Sequence, residues 1–239
     1  MLSIALSELM QVFRNRLILL TSFVIPVAPC AFFVYRHEIF AELGSLGYVA
    51  AVVMFTVTAF GLYTTTVTSL ASRRQNLFLK RLRSTAVSDA GILVGLILPV
   101  TVLAMVQIAV ILAVLAVVAG APASVPLLVA AIVSTVTMML ALGLATAGFT
   151  NSPEHAQVTT LPVSLGAIGV STWVGITGTE EFTQLKRLLP GGSATELVLN
   201  AWNGGVPVAD SLPLLLPTLA WVVIAVTLAH RMFRWEPRR

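Results

Sequence analysis

Between Ala90 and Pro153 the chain runs for 64 residues without an aspartate, glutamate, lysine or arginine. A soluble domain carries about 25% charged residues, spread so that its surface stays polar. In the whole chain of 239 residues the charged share is 10%, against 57% hydrophobic, and the mean hydropathy is +0.95. These values exclude a soluble enzyme and a disordered protein. The single cysteine, Cys30, cannot form an internal disulfide, which excludes a secreted disulfide scaffold. A polytopic membrane protein remains, because only there is the outer surface meant to be apolar.

One helix of 64 residues would be about 96 Å long, against a hydrocarbon core of about 30 Å. The stretch must therefore fold back. Its only central Gly/Pro cluster, Gly120-Ala121-Pro122-Ala123-Ser124-Val125-Pro126, marks the turn. Further charge-free gaps run over 17–35, 43–72, 155–179 and 211–230. The expected fold is all-α, a single transmembrane domain with six spans near 17–35, 47–71, 91–119, 126–149, 157–177 and 212–230. The runs are continuously apolar and do not alternate with period two, so a β-barrel is disfavoured. Val27-Ala28-Pro29-Cys30 fits a lipoprotein cleavage site poorly, and the first run is read as a retained span.

Six spans put both termini on one side. That side then holds Arg14, Arg16, Arg73, Arg74, Lys80, Arg81, Arg83, Arg231, Arg234, Arg238 and Arg239, eleven of the fourteen basic residues. Only Arg36, Lys186 and Arg187 fall opposite, among six acids. The positive-inside rule makes the basic side cytoplasmic. The expected location is the plasma (inner) membrane, with both termini in the cytoplasm. The net charge of +4 then reflects orientation, and nucleic acid is not an expected partner.

The polar segments have patterns of their own. In residues 1–16, Leu2, Leu6, Leu9 and Phe13 recur at helical spacing, as in an amphipathic helix lying in the membrane interface. The loop 72–89 interleaves Arg73, Arg74, Lys80, Arg81 and Arg83 with Leu77, Phe78, Leu79 and Leu82. Contact with lipid headgroups and docking into a groove on a soluble partner both fit this pattern. Ser152, Pro153 and Glu154 read as a helix start. Residues 178–211 are the long outer connection, expected to form one or two short helices dipping into the outer leaflet and packing on their own spans or on a partner.

Chemistry-bearing motifs are sparse. The sequence has no G-x-x-x-x-G-K-[ST] loop, so it does not hydrolyse ATP in the P-loop manner. His37, His155 and His230 are too dispersed for a metal cluster. The expected spans carry no acid or base, whereas ion-coupled carriers usually place such groups inside the bilayer. The second span does carry hydroxyls. Thr58, Thr65 and Thr68, with Thr172 and Trp173 of the fifth span, are candidates for a mildly polar path suited to an apolar or amphiphilic substrate. The bland alternative is hydroxyls bonded to carbonyls of their own helix.

Three stretches follow one another along the chain: Leu79-Lys80-Arg81-Leu82-Arg83-Ser84-Thr85, the run from Ser152 through Leu161-Pro162 to Gly169-Val170-Ser171, and Leu189-Pro190-Gly191-Gly192-Ser193-Ala194 through Gly204-Gly205. In this order they resemble the permease subunits of ABC-2 type transporters, in the subgroup associated with daunorubicin and other drug export. Ala86 stands where many members carry proline. The resemblance implies a coupling helix that contacts an ATPase subunit, with Arg73, Arg74, Leu77, Phe78, Lys80, Arg81, Arg83 and Thr85 as its residues. It implies a second cytoplasmic contact at Ser152, Glu154 and His155, and a fifth span near a dimer interface. ATP and Mg would be bound by the partner, and no cofactor by this chain. Partners would be that ATPase, membrane lipid, and a second copy or a paralogous permease. The implied activity is ATP-driven efflux of a hydrophobic or amphiphilic substrate, such as a drug, an antibiotic or a lipid-like molecule, with antibiotic resistance as a consequence. A polytopic membrane enzyme and an ion-coupled carrier are the competing readings.

Overall fold

The stretch expected as the second span is the helix around which the others pack. The computed structural model describes residues 25–84, 88–233 and 235. The expected interfacial helix 1–16, the first part of the first span and Thr85 lie outside the described residues. The described part of that first span is α1 (Ile25–Tyr35), followed by the short α2 (His37–Leu43). The central helix is α3 (Leu46–Gln75). Residues 47–59 of α3 are buried on every side, as expected of a helix that is apolar all round.

The hydroxyls of α3 bond mainly to its own backbone. Thr56 donates to the Val52 carbonyl at 2.8 Å and Thr58 to that of Met54 at 3.0 Å. Val57–Thr64, which takes in Thr58, is wound as a π-helix. There Thr64 donates to the carbonyl of Ala59 and Thr65 to that of Phe60, each five residues back, at 2.9 and 3.3 Å. Such wide turns insert into α-helices at functional sites more often than elsewhere.

The remaining helices are α4 (Phe78–Arg83), α5 (Asp89–Ala119), α6 (Val125–Phe149), α7 (Pro153–Thr177), α8 (Thr183–Leu188), α9 (Gly192–Asn203) and α10 (Val208–Met232). Ser88 caps α5 by accepting from the Gly91 amide at 3.2 Å, and Ser152 caps α7 by accepting from that of His155 at 3.2 Å. Among the described residues there is no strand, and five helices (α3, α5, α6, α7 and α10) are long and apolar enough to cross a membrane. The all-helical membrane architecture is therefore as expected. Of the remaining expected span, 17–35, only 25–35 are described.

Where the sequence suggests helices dipping into the outer leaflet, α9 lies inside the bundle against α3, α6 and α7. Residues 192–198, Ala201 and Trp202 are buried. The turn after α5 supplies donors for its end: the amides of Ala123 and Ser124 bond the carbonyls of Trp202 and Ala201 at 3.2 and 2.9 Å. Asn203 then accepts from the Gly47 amide at 3.0 Å and donates to Ser45 at 2.9 Å, which secures the start of α3. Gly192 approaches the Lys186 carbonyl so closely that no β-carbon fits there.

A similar close approach joins α3 to α7. A β-carbon on Gly175 would run into the Tyr48 ring, which is itself buried. At Gly143 of α6 the added atom would sit 3.4 Å from Thr66, an ordinary contact. Gly175→Ala is therefore expected to lower stability by about 1–3 kcal/mol, and Gly143→Ala to leave it equal or raise it by up to about 1 kcal/mol, since alanine favours the helix interior. Thermal unfolding of the two variants in detergent checks the order; equal melting temperatures would contradict the packing.

Candidate functional site at the basic end of the bundle

The ends of α3, α6 and α10 and the starts of α5 and α7 meet at one end of the bundle, where the basic loop also lies. The sequence reading ends the second span at 71, and the resemblance implies one coupling helix that includes Arg73 and Arg74. In the structure α3 continues through Gln75, so Arg73 and Arg74 belong to α3 and only Phe78–Arg83 form α4. The two are separated by Leu77, whose φ of 56° is left-handed and whose side chain is exposed. That conformation is uncommon for any residue with a β-carbon. The Leu77 amide donates to the Arg74 carbonyl at 3.0 Å, and the Arg81 amide to that of Leu77 at 3.1 Å. The chain thus turns sharply between two helices, with backbone hydrogen bonds on both sides of Leu77.

One side of α4 is anchored. Leu79 is fully buried among Leu70, Ile92, Leu96 and Ala147, with Phe78, Leu82, Phe233 and Trp235 around it. The other side carries exposed Lys80, Arg81 and Arg83. Arg81 donates to the Asn76 carbonyl at 3.0 Å. Arg83 lies 3.3 Å from Asp89 and 5.3 Å from the Trp235 ring centre. The ion pair is about half exposed, so it contributes at most about 1 kcal/mol. Half-buried Arg73 donates to Ser69 at 3.3 Å and lies 5.2 Å from the centre of the Phe78 ring.

Arg74 corrects the sequence expectation. It is 2% exposed and points into the bundle, so its side chain does not belong to the outward basic face. Its guanidinium donates to the carbonyls of Ala147 at 2.7 Å and Thr150 at 3.1 Å, both at the end of α6. The Phe233 ring, just past α10, lies 5.2 Å from it. A hydrogen bond to a charged group contributes about 1.5–3 kcal/mol, and a cation at a helix C-terminus is favoured by the macrodipole.

Ser152, Glu154 and His155 share this end, where the first turns of α7 pack on the last turns of α3. Glu154 and His155 are exposed, and Thr159 bonds Thr150 at 3.0 Å. The candidate path residues are not brought together. Thr58 is buried and bonded to its own helix, and Thr65 and Thr68 are half-buried farther along α3. Thr172 and Trp173 lie toward the opposite end, where Thr172 reaches the Tyr48 hydroxyl and Trp173 lies 5.0 Å from the Lys186 ammonium.

The sequence reading misses a second group of buried charges at that opposite end. Lys186 is 1% exposed and donates to Thr177 at 2.8 Å and to the Gly178 carbonyl at 2.7 Å, where α7 ends. Arg187 grips Glu196 of α9 with two bonds, of 2.7 and 2.6 Å. Those bonds hold the guanidinium pKa above its ordinary value. Gln107, midway along α5, is also buried. Among the described residues, no group of three or more His, Cys, Asp and Glu side chains is placed to hold a metal ion.

In α4 a buried apolar root and an exposed basic face thus lie on one short helix. The left-handed Leu77 gives a test. Leu77→Gly relieves the backbone and is expected to leave the melting temperature equal or higher. Leu77→Val places a β-branched residue in that conformation and is expected to lower stability by about 1 kcal/mol or more. The reverse order would contradict the turn.

A comparison with curated proteins finds no match. Residues 5–230 match the family described as ABC-2 family transporter protein, a span that takes in every helix from α1 to α9 and nearly all of α10. The chain is therefore a multi-pass membrane protein that belongs to the ABC-2 transporter family.

Proposed function

We propose that the chain is the membrane-spanning permease subunit of an ATP-driven exporter, with its basic end in the cytoplasm of the cell and its spans in the plasma membrane. The family normally pairs its membrane component with an ATPase subunit. In this reading α4 is the coupling helix. Lys80, Arg81 and Arg83 face the ATPase, Leu77 is an exposed apolar contact beside them, and Phe78 is part of the root. Glu154 and His155, with Ser152 holding their turn, form the second contact. ATP and Mg belong to the partner chain.

The observation that carries this reading is the build of α4: Leu79 is sunk in the bundle while the cations on the other side face outward. Contact with lipid headgroups requires the cations but not the buried root. The substrate is hydrophobic or amphiphilic, in the range of a drug, an antibiotic or a lipid-like molecule, because the hydroxyls of the central helix are the main polar groups along it. A second copy or a paralogous permease completes the path. The face of α7 with exposed Leu161, Leu165, Gly166 and Gly169 is the one that would meet it.

Reversing charge at Lys80→Glu and Arg81→Glu together is expected to reduce co-purification of the ATPase subunit at least tenfold. Both side chains are exposed and the bond from Arg81 to the Asn76 carbonyl is an exposed one, so the melting temperature of the chain should fall by no more than about 2–4 °C. Undiminished retention of the ATPase by the folded double variant would overturn the assignment of α4.

A further inference from the structure

What a lever moves is set by where it is tied to the bundle. The root of α4, around buried Leu79, is apolar and holds by packing. Its ion pair with Asp89 is exposed. A directional tie lies just before it, at Arg74. The Arg74 carbonyl accepts the Leu77 amide at 3.0 Å, so the left-handed turn that starts α4 is bonded to this residue. Its guanidinium meanwhile holds the end of α6 through Ala147 and Thr150 and lies against Phe233, at the end of α10.

The two helices it holds are closely fitted at that point. A β-carbon on Gly148 of α6 would stand 3.1 Å from the backbone of Met232 in α10. The segment after α10 also reaches back to α4, since the Trp235 ring lies 5.3 Å from Arg83 and 5.4 Å from the Phe233 ring. Thr150 extends the junction to α7 through Thr159. Two planar hydrogen bonds from one guanidinium fix direction as well as distance, which an ammonium or an apolar contact does not.

We infer that Arg74 is a positioning residue that transmits displacement of α4 to α6 and α10, so that these two helices move as a unit when the coupling helix is driven. This rests on the exporter reading above and adds to it a defined route into the bundle. Arg74 touches neither the ATPase nor the substrate; it sets where the ends of α6 and α10 stand relative to α4.

The test uses spin labels on the full chain in lipid nanodiscs with its co-purified ATPase subunit, in a Cys30→Ala background. One pair joins Ser84→Cys, at the end of α4, to Val206→Cys at the opposite end. The other joins Arg231→Cys, at the end of α10, to the same Val206→Cys. All three labelled positions are exposed. Addition of ATP and Mg is expected to shift both distances in the chain with Arg74 intact. In Arg74→Gln the α4 distance should still shift, while the α10 distance shifts by less than a quarter as much as with Arg74 intact. A general loss of structure would blur both distances alike.

If Arg74→Gln does not fold, Phe233→Leu serves instead. It removes the ring but keeps both hydrogen bonds, and is expected to give an intermediate loss at α10 alone. Equal shifts in both pairs of the variant would overturn the transmission while leaving the exporter reading intact. No ATP-dependent shift of α4 in the chain with Arg74 intact would overturn the exporter reading, and the transmission with it.

Discussion

A helix that ends inside an apolar bundle must be given a donor for its last carbonyls, because neither lipid nor apolar side chains can supply one. In this chain those donors decide which helix ends meet. Arg74 closes the end of α6, Lys186 closes the end of α7, and the amides of Ala123 and Ser124 close the end of α9. Each donor comes from a different part of the chain from the helix that it closes. Satisfying the backbone and assembling the bundle are thus one problem with one solution.

The same constraint divides the polar groups into two kinds. Charged side chains gather at the two ends, where they close helices or face outward. Along the central helix the polar groups are hydroxyls, and those of Thr56, Thr58, Thr64 and Thr65 bond carbonyls of α3 itself. At the end of the π-helical turns this bonding reaches five residues back. A bundle arranged in this way has closed ends and a neutral middle. At the basic end of that bundle α4 combines a buried root with an outward face.

Much of this was legible in the sequence because charge is so costly in a membrane. The charge-free gaps and the Gly/Pro cluster place α5 and α6 almost to the residue. The run Ala194, Leu197, Val198, Ala201 and Trp202 marks the buried side of α9. Arg74 was misread because the positive-inside rule reports the end at which a cation lies, and nothing about the side of the helix. The signal was present nonetheless. Tyr63, Val67, Leu70 and Arg74 follow one another at three- and four-residue steps, and all are buried. Continuing α3 past Ser72 would have placed Arg74 on the core face. Lys186 had no such local signal, since its partners at Thr177 and Gly178 belong to the end of another helix. The left-handed Leu77 was also hidden, because a leucine gives no sign of that conformation.

The most direct measurement is an experimental structure, in a lipid bilayer, of this chain together with the ATPase that co-purifies with it. The account predicts that the ATPase is seated on the basic end, with Lys80 and Arg81 of α4 in its surface and Leu79 still buried in the bundle. An ATPase seated elsewhere, or a folded chain that retains none, would contradict it.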